Sequence, residues 1–404
     1  MAWRELELPT FKGKPGWEFT ELADFDLASY PKPGPGAPGA LDAAGEARLV
    51  FPADAVDGVR LTQVDAVSSG LDPAHPALPD GAIVMPLTQA AAEHGELVDA
   101  HLGSLVSAGE NAFVARNAAE WEGGAFVYIP RGVAVQAPIV LSAIQAQAGT
   151  VLNWRALVVL EEGAEAEVWE QYGSTQPGLF TTVVELVVGQ GASLRFVTAQ
   201  DLDEGSQVFG TQRAKVARDG TLDWVVLGFG GATGKVFQNT ILDGQGAEGK
   251  VTGAYALTGR QHLDFDTTQE HAAPRCTSDL AFRGILAGRS SAVWRGMIKV
   301  DEGAQQTDAF QESRNLLVSK RAHADAIPGL EILANDVRCT HAAAVAQIDP
   351  EQLFYLRAHG LPLGVASRLV IEGFLAELVE RFEAGAVREA LASALERRLA
   401  TVLG

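Results

Sequence analysis

A glycine-marked turn recurs through the middle of the chain at a nearly constant interval, and few folds can generate such a period. Arg131-Gly132-Val133, Glu162-Gly163-Ala164, Gln190-Gly191-Ala192, Asp219-Gly220-Thr221, Gln245-Gly246-Ala247 and Glu302-Gly303-Ala304 share one form: a polar residue, glycine, then a small or β-branched residue. Successive glycines lie 31, 28, 29, 26 and 57 residues apart, the last about two periods. The skipped turn falls near His271–Thr277, where Ala-Ala-Pro-Arg-Cys-Thr replaces the glycine form. Between the turns lie short β-rich runs such as Ala125–Ile129, Ala156–Leu160, Thr182–Val188 and Leu222–Leu227. A fixed period in short strands, with no helical segments between, signals a solenoid. A propeller repeat needs roughly 40 residues and fits less well. The expected fold is therefore mainly β: a right-handed parallel β-helix core whose turns each supply two or three strands. A large antiparallel sandwich is the competing architecture. A β-helix has two open ends that must be covered, and the flanking segments are natural covers.

The flanks have their own signals. Residues 1–29 contain Gly16-Trp17-Glu18-Phe19-Thr20-Glu21-Leu22, a local aromatic anchor in an otherwise polar arm. The stretch Tyr30–Gly39 holds four prolines and three glycines, a composition no packed element tolerates. Residues 48–64 look strand-like, and residues 86–107 helical, with Leu87, Ala90, Ala91, His94, Leu97, Val98, His101 and Leu102 at helical spacing. His94 and His101 lack acidic or thiol companions at i+3 or i+4 and are expected to be ordinary helix histidines. In the tail, Asp349-Pro350-Glu351-Gln352 is an N-cap, a first-turn proline and a capping-box Gln, and Gly360 ends that helix. A second helix carries Val365, Leu369, Val370, Phe374, Leu378 and Phe382, and a third Val387, Leu391, Leu395, Leu399 and Val402. Their apolar faces are expected to dock on the solenoid end or on a partner. The predicted organisation is an N-terminal α-rich domain at 1–111 with a Pro/Gly linker near 30–40, a β-helix core at 112–348 and a C-terminal helical domain at 349–404.

Charge and composition narrow the function. With 31 basic and 51 acidic residues the net charge is −20, which argues against nucleic acid and anionic membrane as partners. No apolar run approaches the roughly 18 residues of a membrane span. The N-terminus lacks the pattern of a secretory signal, and two cysteines indicate a reducing compartment. A cytoplasmic protein is expected. Phosphate-loop, Cys-x-x-Cys, His-Glu-x-x-His and Gly-x-Ser-x-Gly motifs are missing from the sequence. One pair stands out: Cys339 and His341, with Asp336 upstream, at the close of the β-rich region. In a strand they project from the same face, as soft-metal or sulfur chemistry requires. Free cysteine is also commonly buried and inert. Cys276 lies in a turn near Glu270 and His271 with nothing fixed around it.

Residues 260–380 resemble the SufB/SufD family of the Suf iron–sulfur cluster assembly machinery. The resemblance rests on Asp264-Phe265-Asp266-Thr267, His271-Ala272-Ala273-Pro274, Ser278-Asp279, Phe282-Arg283-Gly284-Ile285-Leu286, Gln305-Gln306-Thr307-Asp308-Ala309 and Asn315-Leu316-Leu317. It continues through Pro328-Gly329-Leu330-Glu331-Ile332, Asp336-Val337-Arg338-Cys339-Thr340-His341 and Ile348–Gly360. Trp17-Glu18-Phe19-Thr20 resembles the family's N-terminal arm element. What this implies is a β-helix between two helical domains, acting as a scaffold without turnover of its own. Where SufB-type members hold an essential cysteine, this chain has Ile332, while Asp-Val-Arg-Cys-Thr-His is the SufD-type form. The resemblance makes His341 the candidate iron–sulfur ligand and leaves Cys339 a secondary one. It implies pairing with SufB, a transient cluster at that interface with none tightly bound in the isolated chain, and binding of the ATPase SufC. The SufC site would comprise Asp349, Pro350, Gln352, Phe354, Tyr355, Arg357 and Gly360. An isolated chain could pair with itself through the surface meant for SufB. The alternatives are a sulfur-accepting SufB-type scaffold and a β-helix carbohydrate-active enzyme with carboxylates aligned on one face.

Overall fold

The computed structural model describes residues 3–9, 16–34, 49–52, 58–69, 77–382 and 385–403; positions 35–40 of the Pro/Gly stretch lie outside them. The N-terminal elements are β1 (Val59–Val64), β2 (Val67–Ser69), β3 (Ile83–Met85), α1 (Leu87–Glu93), α2 (Gly95–Asp99) and α3 (Ala112–Glu120). The core continues with β4 (Ala125–Ile129), β5 (Ile139–Gln145), β6 (Val151–Leu160), β7 (Glu165–Ser174), β8 (Leu179–Val188), β9 (Ser193–Asp201), β10 (Gln207–Val216) and β11 (Thr221–Gly228). It closes with β12 (Thr233–Leu242), β13 (Glu248–Leu257), β14 (His262–His271), β15 (Thr277–Leu286), β16 (Ser291–Val300), β17 (Thr307–Leu317), β18 (His323–Ile332) and β19 (Val337–Gln347). The tail is α4 (Pro350–Ala358), α5 (Leu363–Val379) and α6 (Ala386–Leu403).

From β4 onward the strands alternate between two sheets. The first runs β19-β17-β15-β13-β11-β9-β7-β5-β1-β2, the second β18-β16-β14-β12-β10-β8-β6-β4-β3, and all pairings from β4 to β19 are parallel. This is a parallel β-solenoid with two strands per turn, as the period implies. The strand β1 pairs in parallel with β5, so part of the N-terminal region extends the first sheet.

The turns stack on one another, and their backbone shows why the sequence period looked uneven. One stack of left-handed residues is Gly132, Gly163, Gly191, Asp219, Gly246, Arg275 and Gln306, spaced 31, 28, 28, 27, 29 and 31 residues apart. Each donates its N–H to a carbonyl of the next turn, from Gly132 to Glu162 through Arg275 to Gln305 and Gln306 to Asp336. The turn without glycine lies where expected, with Arg275 at φ 61° in the role that glycine fills elsewhere. Two turns depart from the sequence motif: Asp219 rather than Gly220 is left-handed, and in the later turn both Gly303, at φ 88°, and Gln306, at φ 61°, are.

The flanks dock on the outer faces. Trp17 is buried against Phe113, Phe209 and Phe237 over the second sheet. Thr20 Oγ1 donates to Asp264 Oδ2 at 2.8 Å beside the buried Lys235–Asp264 pair. The arm motif is thus an anchor, as predicted. Pro31 and Gly34 are also held, by Val151 N–H and the amide of Gln147. The helix expected over 86–107 is broken at His94, ahead of Gly95, into α1 and α2.

Contrary to expectation, α5 and α6 cover the outer face of the first sheet rather than the solenoid end. Ala366, Ile371, Leu375 and Leu378 of α5 are buried, while Val365 and Leu369 stay exposed. The apolar cluster joins α5 and α6 to Val197, Ala199, Val225, Leu227, Ala254 and Ala256. Those mostly small and β-branched side chains make an outer surface on which helices can lie closely. Arg398 Nε donates to Ala256 O at 2.9 Å and Lys250 Nζ to Arg381 O at 2.8 Å, which fixes the tail's position. Among the described residues no helix is long and apolar enough to cross a membrane.

One acid sits inside the lumen. Glu170 is fully buried and accepts from Trp154 Nε1 at 2.6 Å and from the Tyr172 hydroxyl. Burial pushes its carboxyl up to about 7, while those two hydrogen bonds hold it down. Because the folded value lies above the unfolded one, the stabilisation is complete below about pH 4.5 and is lost as pH rises through 7. Comparing denaturant unfolding of wild type and Glu170→Gln across pH 4.5–8 is expected to show wild type losing roughly 3 kcal/mol relative to the variant.

Candidate functional site

The last turn of the solenoid has neighbours on one side only. Among the described residues β18 pairs with β16 alone and β19 with β17 alone, so two strands of 10 and 11 residues present free backbone edges. Long, unpaired edges are templates for another chain unless they are protected. Apolar exposure concentrates in the same region. The exposed large hydrophobics among the described residues are Ile327, Leu330, Ile332, Leu333 and Val345 on this turn, and Phe354, Tyr355, Leu363, Val365 and Leu369 just behind it. Scattered apolar exposure is ordinary, but this clustering marks an interaction surface.

Register decides which side chains face the lumen. Cys339 stands above Ala309, His341 above Gln311, Ala343 above Ser313 and Val345 above Asn315. On the facing strand Leu330 stands above Ile298 and Ile332 above Val300. Cys339 packs on a small cluster of Ile298, Val300, Ala304, Ala309 and Ala334, whereas His341 is exposed. The two residues singled out by spacing therefore share a face and differ in environment. Burial and the nearby Asp308 carboxylate push the Cys339 thiol up. Arg338 pairs with Asp308 on the outer face and holds that carboxyl below its usual range. Asp336 does not join the pair: its backbone N–H donates to Gln305 Oε1 and its carbonyl accepts from Gln306. Among the described residues no three His, Cys, Asp or Glu side chains converge as a metal site. The turn therefore carries one imidazole and one thiol on the same face, without further companions of that kind among the described residues.

Cys276 belongs elsewhere. It is wholly buried in the lumen, its thiol 3.2 Å from Gly244 O. His271 faces inward too, bonded through Nε2 to Ser278 Oγ at 2.8 Å and kept neutral by burial, which brings it down to about 4. Glu270, one residue away, points outward to Lys299. Alternation along one strand thus separates residues that adjacency had grouped. A carbohydrate enzyme's row of free carboxylates is not formed on the grooved outer face either. There Glu167, Arg195, Asp223, Lys250 and Asp279 lie in register with alternating sign, and Arg195 bridges Glu167 and Asp223 at 3.2 and 3.0 Å.

The tail begins two residues after β19. Asp349 caps α4 by accepting from Glu351 N–H at 2.9 Å, Pro350 opens the helix, and Gly360 follows it at φ 92°. All seven predicted partner residues, including Gln352 and Arg357, are exposed. Phe354 is 76% exposed and Tyr355 63%, and no residue of α4 is buried. The Tyr355 ring packs 4.4 Å from His359. Spacing and motif reading missed the polar layer under the last turn, Gln311, Ser313 and Asn315. Its signal was available: Gln311–Asn315 is polar on both faces of its strand, which a buried β-helix strand seldom is.

Comparison with known proteins agrees with this architecture. The model of the SUF system FeS cluster assembly SufBD core domain matches residues 143–374, and that of the SufBD protein N-terminal region matches 62–141. The chain belongs to the SufB/SufD family. It is 30% identical to the iron–sulfur cluster assembly protein SufD of Bacillus subtilis over 95% of this chain and 88% of that protein. An iron–sulfur cluster assembly SufBD family protein of Mycobacterium tuberculosis is 31% identical over 68% of this chain and 70% of its own length. The SufB of B. subtilis is 29% identical over 70% of this chain and 62% of that protein. Identity alone barely separates the two branches of the SufB/SufD family, while coverage favours the first.

The different environments of the thiols make a direct test of the site. In the native chain Cys276 is expected to resist a thiol reagent until unfolding, and Cys339 to react more slowly than a free cysteine at neutral pH. Fast labelling of both residues, followed by mass spectrometry, would contradict the description of the last turn.

Proposed function

We propose that this chain is a SufD-type, non-catalytic scaffold subunit of an iron–sulfur cluster assembly complex, working in the cytoplasm. Its unpaired last turn would join the matching turn of SufB, and α4 would bind the ATPase SufC. The observation that carries this reading is the open turn itself: two free strand edges, an apolar rim and an outward-accessible His341. The nascent cluster is cargo at that junction. Neutral imidazole is a competent iron ligand, and Cys339 is the secondary candidate beside it. The remaining ligands would come from the partner. Sulfur acceptance would need a thiol at position 332, and Ile332 cannot provide one, which weighs against a SufB-type role.

Coupling to ATP use follows from how the tail is joined. Only Ile348 and Asp349 separate β19 from α4. A pull on α4 by a dimerising ATPase would therefore reach the edge strand that bears His341 with little slack. The bulk of α5 and α6 would stay clamped to the sheet by the buried cluster.

Removing the whole tail would uncover that cluster, so point substitutions at exposed positions are the cleaner probe. In the co-purified complex, His341→Ala is expected to abolish most visible cluster absorbance while leaving SufB bound, and undiminished absorbance would reject the ligand role. Replacing Phe354 and Tyr355 by Ala is expected to weaken SufC binding by at least about tenfold, and unchanged affinity would reject the α4 site. Sizing the chain alone and with SufB separates a homodimer from the heterodimer.

A further inference from the structure

The middle of the lumen holds a small polar cavity that nothing in the proposed function uses. Tyr172 and Gln200 of the first sheet line it, with Thr182, Gln212, Val236 and Phe265 of the second, and every lining residue is buried. Trp154, Thr182, Gly210, Val236 and Phe265 stand in one register column there. A Cβ on Gly210 would lie 2.6 Å from Thr182 Oγ1, so the hydroxyl turns into the place that a side chain at Gly210 would take. About 10 Å3 is left for the centre of a water-sized molecule, close to the least that one buried water requires. Three polar atoms of the lining side chains have no hydrogen-bond partner among the described residues: Thr182 Oγ1, Gln200 Nε2 and Gln212 Oε1. Tyr172 cannot relieve Gln212, because its hydroxyl already donates to Glu170. Leaving one such buried group unmet would lower the folding equilibrium by roughly tenfold. No charged side chain lines the cavity, and its size excludes a larger ligand.

We propose that this cavity is a binding site for one structural water, which accepts from Gln200 Nε2 and donates to Gln212 Oε1 and Thr182 Oγ1. One donor and two acceptors match what a single water can satisfy, and a polar space of this size holds water where an apolar one stays dry. Gln200 lies on β9, Thr182 on β8 and Gln212 on β10, so the water ties the first sheet to the second across the lumen. A bridging water is nearly as favourable as a direct hydrogen bond. The middle turns thus stay joined in a layer where the apolar core is interrupted. The site stands whether or not the chain pairs with SufB or carries a cluster.

Two measurements on the full-length chain test the site. A high-resolution crystal structure is expected to show one density peak in the cavity, roughly 2.7–3.2 Å from Gln200 Nε2 and from both acceptors. A dry cavity, or the three side chains bonded to one another instead, would overturn the proposal. In solution, Thr182→Val keeps the shape of the side chain and removes its hydroxyl, so the sign of the stability change is informative. With the water in place the variant loses a hydrogen bond, and its unfolding constant in denaturant titration is expected to rise by roughly two- to tenfold. Without the water the substitution would only remove an unmet buried hydroxyl, and the constant would fall. An unfolding constant equal to or below that of wild type would overturn the proposal as well.

Discussion

Each inward side chain of this solenoid is covered by the residues before and after it in its column, and every other feature depends on that stacking. One column runs Ile139, Val168, Phe196, Trp224, Val251, Leu280, Gln311 and His341 in unbroken register. Its interior members bury apolar surface at about 25 cal/mol per Å² because a neighbour lies on both sides. The last member has a neighbour on one side only. Along this column the apolar run ends at Gln311, which is buried, and His341, the last member, is exposed. The site is a consequence of where the repeat stops.

The same end condition accounts for the surface. Leu330 and Ile332 continue the apolar rows of Ile298 and Val300, with no further strand among the described residues to cover them, so they are exposed without being misplaced. The tail does not cap this end because the flat outer face of the first sheet takes α5 and α6. That leaves α4 as a lever attached to the open edge, with its aromatic side chains in solvent. The proposed role, a scaffold that a partner opens and closes, would use such an arrangement: a firm body, a free edge and a short connection between edge and handle.

Much of this was legible in the sequence, for physical reasons. The turn period survives because stacked turns need a left-handed residue at each step, and glycine supplies it at low cost. Asp219, Arg275 and Gln306 escaped a glycine search because the backbone ladder can hold other residues in that conformation. The cap and stop of α4 are local signals and were read directly. The buried face of α5 was not, since the face that docks is chosen by the sheet below it. Likewise, spacing placed Cys339 and His341 on one face, but their unequal burial depends on Ala309 and Gln311 a whole turn away. Glu270 and His271 are adjacent in sequence and are sent to opposite faces by the alternation of a single strand.

The central claim is that the open turn is where a second scaffold chain adds its strands. Hydrogen exchange of the backbone amides from 323 to 347, measured with and without SufB, tests it most directly. Edge amides of β18 and β19 are expected to exchange freely in the isolated monomer and to become protected when SufB binds. Stable SufB binding with unchanged exchange across both strands, and protection elsewhere on the chain, would contradict the account.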